Sequence, residues 1–204
     1  MNQKILSDGL KHLCKDQKMN NLIEKFDRPN YIQDMDYFNA LSKTIIYQQL
    51  SGKAAKTIYN RYLNLFNNQY PKSNDIINIG MQSIRNVGIS QKKSEYIFSL
   101  ANYFSQKGVN INFKLLSDIE VSNELLQLKG IGQWTVDMFL MFSLYRTDIL
   151  PIGDLGIQKG IKMLFNIKNL PSKKYMLKIS KPWQPYRSIA CWYLWRIVDD
   201  EETW

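Results

Sequence analysis

The chain has 204 residues, and 27 Lys and Arg against 18 Asp and Glu give it a formal net charge of +9 at pH 7. A hydrophobic fraction of 45%, with 13% aromatic residues, is enough to build a core, which excludes a disordered chain or a linker. The length fits one domain or two closely packed lobes, and the basic excess points to a polyanionic partner, nucleic acid ahead of membrane.

In chain order, residues 1–36 read as an N-terminal helical extension in which His12 is expected on a solvated surface. Phe38 to Leu50 is apolar on more than one side, through Leu41, Ile45, Ile46 and Leu50, and predicts a central helix packed by several neighbours. Ala55, Ile58, Tyr59, Tyr62, Leu63 and Phe66 recur at three- and four-residue steps and predict an amphipathic helix over 54–66. The same period returns in Tyr96, Ile97, Leu100, Ala101 and Phe104, and in Trp134, Met138, Met141, Phe142 and Tyr145. It returns again in Tyr186, Ile189, Ala190, Tyr193, Leu194 and Ile197. No stretch alternates convincingly as a strand, so the expected fold is all-α, with short joints at Pro29, Pro71, Gly108, Gly130 to Gly132, Leu150 to Gly153 and Lys181 to Pro185. The acidic end, Asp199-Asp200-Glu201-Glu202, is expected to fray.

Cys14 and Cys191 are the only cysteines and His12 the only histidine, so Cys and His alone cannot supply four ligands to zinc or an iron–sulfur cluster. With a single histidine, catalysis is expected to use a carboxylate. The N-terminal residues lack a signal-peptide core and no 18-residue apolar run occurs, so the expectation is a soluble intracellular protein. Its compartment would be the cytoplasm (nucleoid) of a prokaryote or the nucleus of a eukaryote. No heptad or apolar stripe calls for a partner subunit, and a monomer with no membrane association is expected.

Leu128-Lys129-Gly130-Ile131-Gly132-Gln133-Trp134-Thr135 places two glycines around one apolar residue between helical segments, the pattern of a helix-hairpin-helix. Glycines permit the tight turn, and N–H groups at the start of the second helix form a phosphate site that grips DNA without reading its sequence. An ordinary turn between two helices is the alternative. Downstream, Pro151-Ile152-Gly153-Asp154-Leu155-Gly156 sets Asp154 where a new helix starts; alone, it reads equally as a helix cap.

These two blocks, together with IIYQQLSGKAA at 45–55 and WQPYRSIACWYLWR at 183–196, resemble the HhH-GPD superfamily of DNA glycosylases. Within it the similarity is to the DNA-3-methyladenine glycosylase II branch (AlkA/Mag type). VGIS at 87–90, followed by Gln91-Lys92-Lys93, also resembles a loop and helix start of that branch. The resemblance implies a glycosylase domain over 37–200, with two helical lobes and a cleft between them, followed by an acidic tail at 201–204. It implies a monofunctional glycosylase that flips an alkylated purine (3-methyladenine or 7-methylguanine type) out of double-stranded DNA and hydrolyses its N-glycosidic bond, initiating base excision repair.

On this resemblance Asp154 is the catalytic carboxylate, while Trp134 and Trp195 line the base pocket, with Trp183, Tyr186, Trp192 and Tyr193 as lower-ranked candidates. A cationic base favours electron-rich rings. The hairpin would hold DNA through Lys129, Gly130, Ile131, Gly132, Gln133 and Thr135. Gln49, then Leu50, would fill the hole left by the flipped base. Trp134 stands where strand-nicking relatives carry a nucleophilic lysine, which implies water as nucleophile and an abasic product without AP lyase activity. No cofactor or Fe-S cluster is implied, and no metal beyond a monovalent cation (Na+ or K+) at the carbonyls of Lys129 and Ile131. The chain departs from some relatives at Gly153, where they carry a second acid, and Asp137 is expected on the helix surface or in an ion pair. The added N-terminal β-domain of bacterial AlkA is not expected within residues 1–36. Two competing readings are a non-enzymatic DNA-binding module that uses the hairpin alone and a glycosylase for oxidised or mismatched bases.

Overall fold

A computed structural model describes residues 1–31 and 36–198; the expected acidic tail at 201–204 lies outside the described residues. In chain order the helices are α1 (Gln3–Leu13), α2 (Gln17–Lys25), α3 (Tyr37–Tyr47), α4 (Gly52–Asn64), α5 (Ser73–Ile79) and α6 (Met81–Asn86). They continue as α7 (Gln91–Gln106), α8 (Asp118–Leu126), α9 (Gln133–Phe142), α10 (Leu155–Leu164), α11 (Lys173–Ile179) and α12 (Arg187–Val198). The described residues contain no strand, as the periodicity predicts. None of their helices is long and apolar enough to cross a membrane.

The chain divides into two units, one of Met1–Gln33 with Leu140–Trp204 and one of Asp34–Phe139. Residues 1–31 thus belong to the same unit as the C-terminal part of the chain. His12 differs from its expected solvated state. It is half-buried, its Nε2 lies 2.9 Å from the Pro182 carbonyl, and its ring is 5.5 Å from Tyr186.

In the unit formed by Asp34–Phe139, α3 is the central helix: Phe38, Leu41, Ile45 and Ile46 are buried on more than one side, against α4 and α7. It stops at Tyr47, three residues short of the predicted end. Gln48 has turned to ψ 130° and Gln49 takes the left-handed conformation at φ 57°. A capping box starts α8: Ser117 Oγ accepts the Glu120 N–H while the Glu120 carboxylate accepts the Ser117 N–H. Phe113 and Phe139, both nearly dry, meet edge to face with centroids 5.3 Å apart and anchor α9 to this core.

In the other unit α12 is the central helix, buried from Ser188 through Leu194, and packs on α10, α1 and α2. On α10, Gly156 and Gly160 stand four residues apart and share one face. A Cβ on Gly160 would strike the Leu194 carbonyl oxygen, so glycine here sets how closely α10 approaches α12.

Candidate functional site

Asp154 is the N-cap of α10, with extended backbone and its Oδ1 accepting the Ile157 N–H at 2.7 Å. The capping expectation holds, but the same oxygen also accepts the indole N–H of Trp195, on α12, at 2.9 Å. Two donors from different helices fix the rotation of a carboxylate that is only 8% exposed. Gly156 supplies the room, since a Cβ there would lie 2.7 Å from Trp195 Cδ1. The four-residue spacing of Gly156 and Gly160 in PIGDLGIQKG is the sequence signal of close helix packing.

Trp195 is half-buried, and its ring lies 5.8 Å between centroids from Phe142, which in turn lies 6.4 Å from Tyr31. From the sequence Phe142 is only part of a helical face, because nothing in one sequence shows which rings adjoin a carboxylate in another segment. Of the other aromatic candidates in this unit, Trp183 is fully buried and its indole N–H donates to Asp16 Oδ2 at 3.2 Å, with the Phe165 ring 6.4 Å away. It is a core ring. Tyr186 is half-buried against His12 and Gly9, on the side facing α1. Trp192 and Tyr193 are buried and meet edge to face at 5.0 Å.

The hairpin lies in the other unit, between α8 and α9. Gly130 has φ 84°, a left-handed conformation, and a Cβ there would collide with the Tyr96 ring, so both backbone and packing require glycine. Lys129, Gly132 and Gln133 are exposed at the turn and the start of α9, where N–H groups project from the helix end. Of the remaining hairpin residues, the side chains of Ile131 and Thr135 are buried, 6% and 1% exposed. Ile131 is apolar and packs inward, while Thr135 Oγ1 accepts the Gln48 side-chain N–H at 3.0 Å, so both can meet DNA only through backbone. Asp137 is also not on the surface; it is 8% exposed and accepts from Gln133 Nε2 at 2.8 Å, one helical turn back. Trp134 is half-buried beside these residues in the first turn of α9.

Gln49 and Leu50 are exposed in the turn after α3. Gln48 between them and the helix points inward, its Nε2 donating to the Gly130 carbonyl as well as to Thr135. Lys93 Nζ donates to the carbonyls of Ile46 and Gln48 at 2.8 and 2.6 Å, and burial holds its pKa below the usual lysine value. In the sequence a Gln beside a Gln and a Lys beside a Lys carry no sign of which one turns inward. Among the described residues no three His, Cys, Asp or Glu side chains converge as a metal site.

A buried, doubly held carboxylate at a helix start and a glycine hairpin, on an all-helical scaffold, are the parts of a family of DNA repair proteins. Residues 42–185 match the model of the HhH-GPD superfamily base excision DNA repair proteins, and the chain belongs to that family. It is 36% identical over 173 residues to DNA-3-methyladenine glycosylase 1 of Schizosaccharomyces pombe, covering 83% of this chain and 76% of the relative. It is 33% identical over 175 residues to the Bacillus subtilis protein described as a putative DNA-3-methyladenine glycosylase, YfjP, spanning 82% of this chain but only 61% of that relative's length. The solved structure of the S. pombe 3-methyladenine DNA glycosylase in complex with abasic DNA superposes with a TM-score of 0.87 at 33% identity, over 97% of this chain and 98% of that one.

Proposed function

We propose that the chain is a monofunctional DNA glycosylase that removes alkylated purines, of the 3-methyladenine and 7-methylguanine type, from double-stranded DNA and so initiates base excision repair. The observation that carries the reading is the Asp154 carboxylate, buried and held on one oxygen by Ile157 and Trp195 in a chain of this family. As the base leaves with the electron pair of the N-glycosidic bond, positive charge grows on the sugar. A fixed carboxylate in a poorly hydrated site opposes that charge and orients the attacking water, which gives its oxygen to C1′ and leaves an abasic site. Trp134 in place of a nucleophilic lysine supports water as the nucleophile.

The exposed Gln49 is the group that enters the duplex, with Leu50 beside it, and Lys129, Gly132 and Gln133 meet the DNA backbone. The Lys129 and Ile131 carbonyls flank Gly130. A cation there would see neutral oxygen donors, which suit Na+ or K+ rather than a transition metal, and would place a positive charge beside a phosphate. A monomer acting on DNA without other cofactors completes the reading.

Trp195 holds Asp154 as well as presenting an aromatic ring, and the two roles separate. Trp195→Phe keeps a ring and removes the N–H, so we expect base release at saturating enzyme to fall by about tenfold, the worth of one hydrogen bond to a charged group. Substrate affinity should stay within a factor of two. A ring used only for stacking predicts the reverse, little change in either quantity for Phe and weakened binding for Ala.

The direct test is release of free base from duplex DNA treated with a methylating agent, with strand integrity followed in parallel. Free 3-methyladenine and 7-methylguanine, with strands intact until alkali or heat is applied, are expected. Cleavage restricted to duplexes carrying oxidised or mismatched bases would overturn the substrate class. DNA binding with no base freed would make the chain a non-enzymatic binding module.

A further inference from the structure

The turn that carries Gln49 is fastened to α7 by Lys93 and to the hairpin by Gln48. Where α3 ends, its last carbonyls lose their helical partners, and Lys93 Nζ takes the place of those partners by donating to the carbonyls of Ile46 and Gln48. A cation at a helix C-terminus is also favoured by the helix dipole. From the same turn the Gln48 side chain crosses to the Gly130 carbonyl and Thr135 Oγ1, each at 3.0 Å. Tyr96, three residues after Lys93 on α7, lies against Gly130 itself. One face of α7 thus braces both the turn and the hairpin. Gln49, between these fastenings, holds a left-handed backbone (φ 57°) that costs free energy for a non-glycine residue and persists where its surroundings enforce it.

We propose that Gln48 and Lys93 are positioning residues that lock the Gln49 turn to the hairpin, so that gripping the DNA backbone and inserting Gln49 into the duplex occur in one register. The inference rests on the glycosylase reading above and extends it to residues that touch neither the base nor the sugar. Lys93 sits in a basic chain close to the hairpin, where a lysine ordinarily neutralises a phosphate. Here two of its three N–H donors are spent on backbone carbonyls inside the protein. Without the clamp the turn relaxes to other conformations and must be reordered at each encounter, which slows flipping without weakening the grip on undamaged DNA.

The test uses the full chain with Lys93→Met and Gln48→Ala. Base release from methylated duplex DNA is measured in single turnover, and insertion is followed by 2-aminopurine fluorescence beside a tetrahydrofuran abasic analogue. Both variants are expected to lower the release rate and the insertion signal by about ten- to a hundredfold, the scale of a small misplacement of a reacting group. Lys93→Met should keep the wild-type affinity for undamaged duplex and its salt dependence. If instead its affinity falls on every duplex, the salt slope drops by about one, and release from the bound complex is unchanged, Lys93 is a phosphate contact and the inference fails.

Adding either change to Gln49→Ala should cause no further loss of insertion, because the clamp acts through Gln49. An additive loss, as from general misfolding, would also overturn it. Wild-type chain that frees no base would defeat the glycosylase reading. Wild-type release matched by both clamp variants would defeat this inference alone.

Discussion

Asp154→Asn is expected to slow base release by about a hundred- to a thousandfold, the effect of removing one preorganised electrostatic group from a transition state. Asparagine is the discriminating substitution because it keeps the structure. Its carbonyl oxygen can still accept the Ile157 and Trp195 hydrogen bonds, and asparagine caps helices as well as aspartate does. What disappears is the negative charge opposing the growing charge on the sugar. The substitution also removes the cost of holding a charge at an 8% exposed position, so the melting temperature should be unchanged or higher. DNA binding should be kept or strengthened, since a carboxylate no longer repels phosphate. The measurement is single-turnover release of 3-methyladenine beside equilibrium binding to the same duplex. Release at the wild-type rate would return Asp154 to the role of a helix cap.

The second large effect is expected at Gly160. An alanine Cβ there meets the Leu194 carbonyl oxygen, and a backbone atom in the middle of α12 cannot rotate aside as a side chain would. Forcing α10 from α12 costs about 3 kcal/mol, against about 1 kcal/mol gained from alanine's better helix propensity. The net loss of about 2 kcal/mol corresponds to a fall in Tm of roughly 4–8 °C for a chain of this size. Base release should fall as well, because Trp195, the residue after Leu194, moves with α12 and its bond to Asp154 lengthens. Thermal melting and single-turnover release of the purified variant test both parts. An unchanged or raised Tm would show that α10 and α12 have room to separate, and that the glycine pair does not set the geometry of Asp154.

The second effect traces to the Gly156 and Gly160 face of α10, whose importance is clear only once α12 is placed against it. In the sequence, PIGDLGIQKG marks Asp154 as a helix start and, through the family resemblance, as the reacting carboxylate. It does not show that Trp195, 41 residues away, donates to the same oxygen that caps the helix. The aromatic candidates divide for the same reason. Trp183 and Trp195 both stand in an aromatic-rich segment, yet one spends its N–H on Asp16 in the core and the other on Asp154.

Local rules therefore determined much of this protein. The 3.6-residue period placed the helices expected over 54–66, 96–104, 134–145 and 186–197, because amphipathic spacing is a property of neighbours along the chain, although α4 ends at Asn64, α9 ends at Phe142 and α12 starts at Arg187. Two glycines around one apolar residue gave the hairpin, since a left-handed turn with a ring against it admits little else. Tertiary structure decided what depends on which surfaces meet. It ended α3 at Tyr47, where Lys93 takes the freed carbonyls, and it turned the side chains of Thr135 and Ile131 inward, leaving their backbone at the hairpin. It sent Gln48 inward and Gln49 outward from identical side chains. The direction of a side chain at a helix end is set by partners distant in sequence, and one sequence alone does not name those partners.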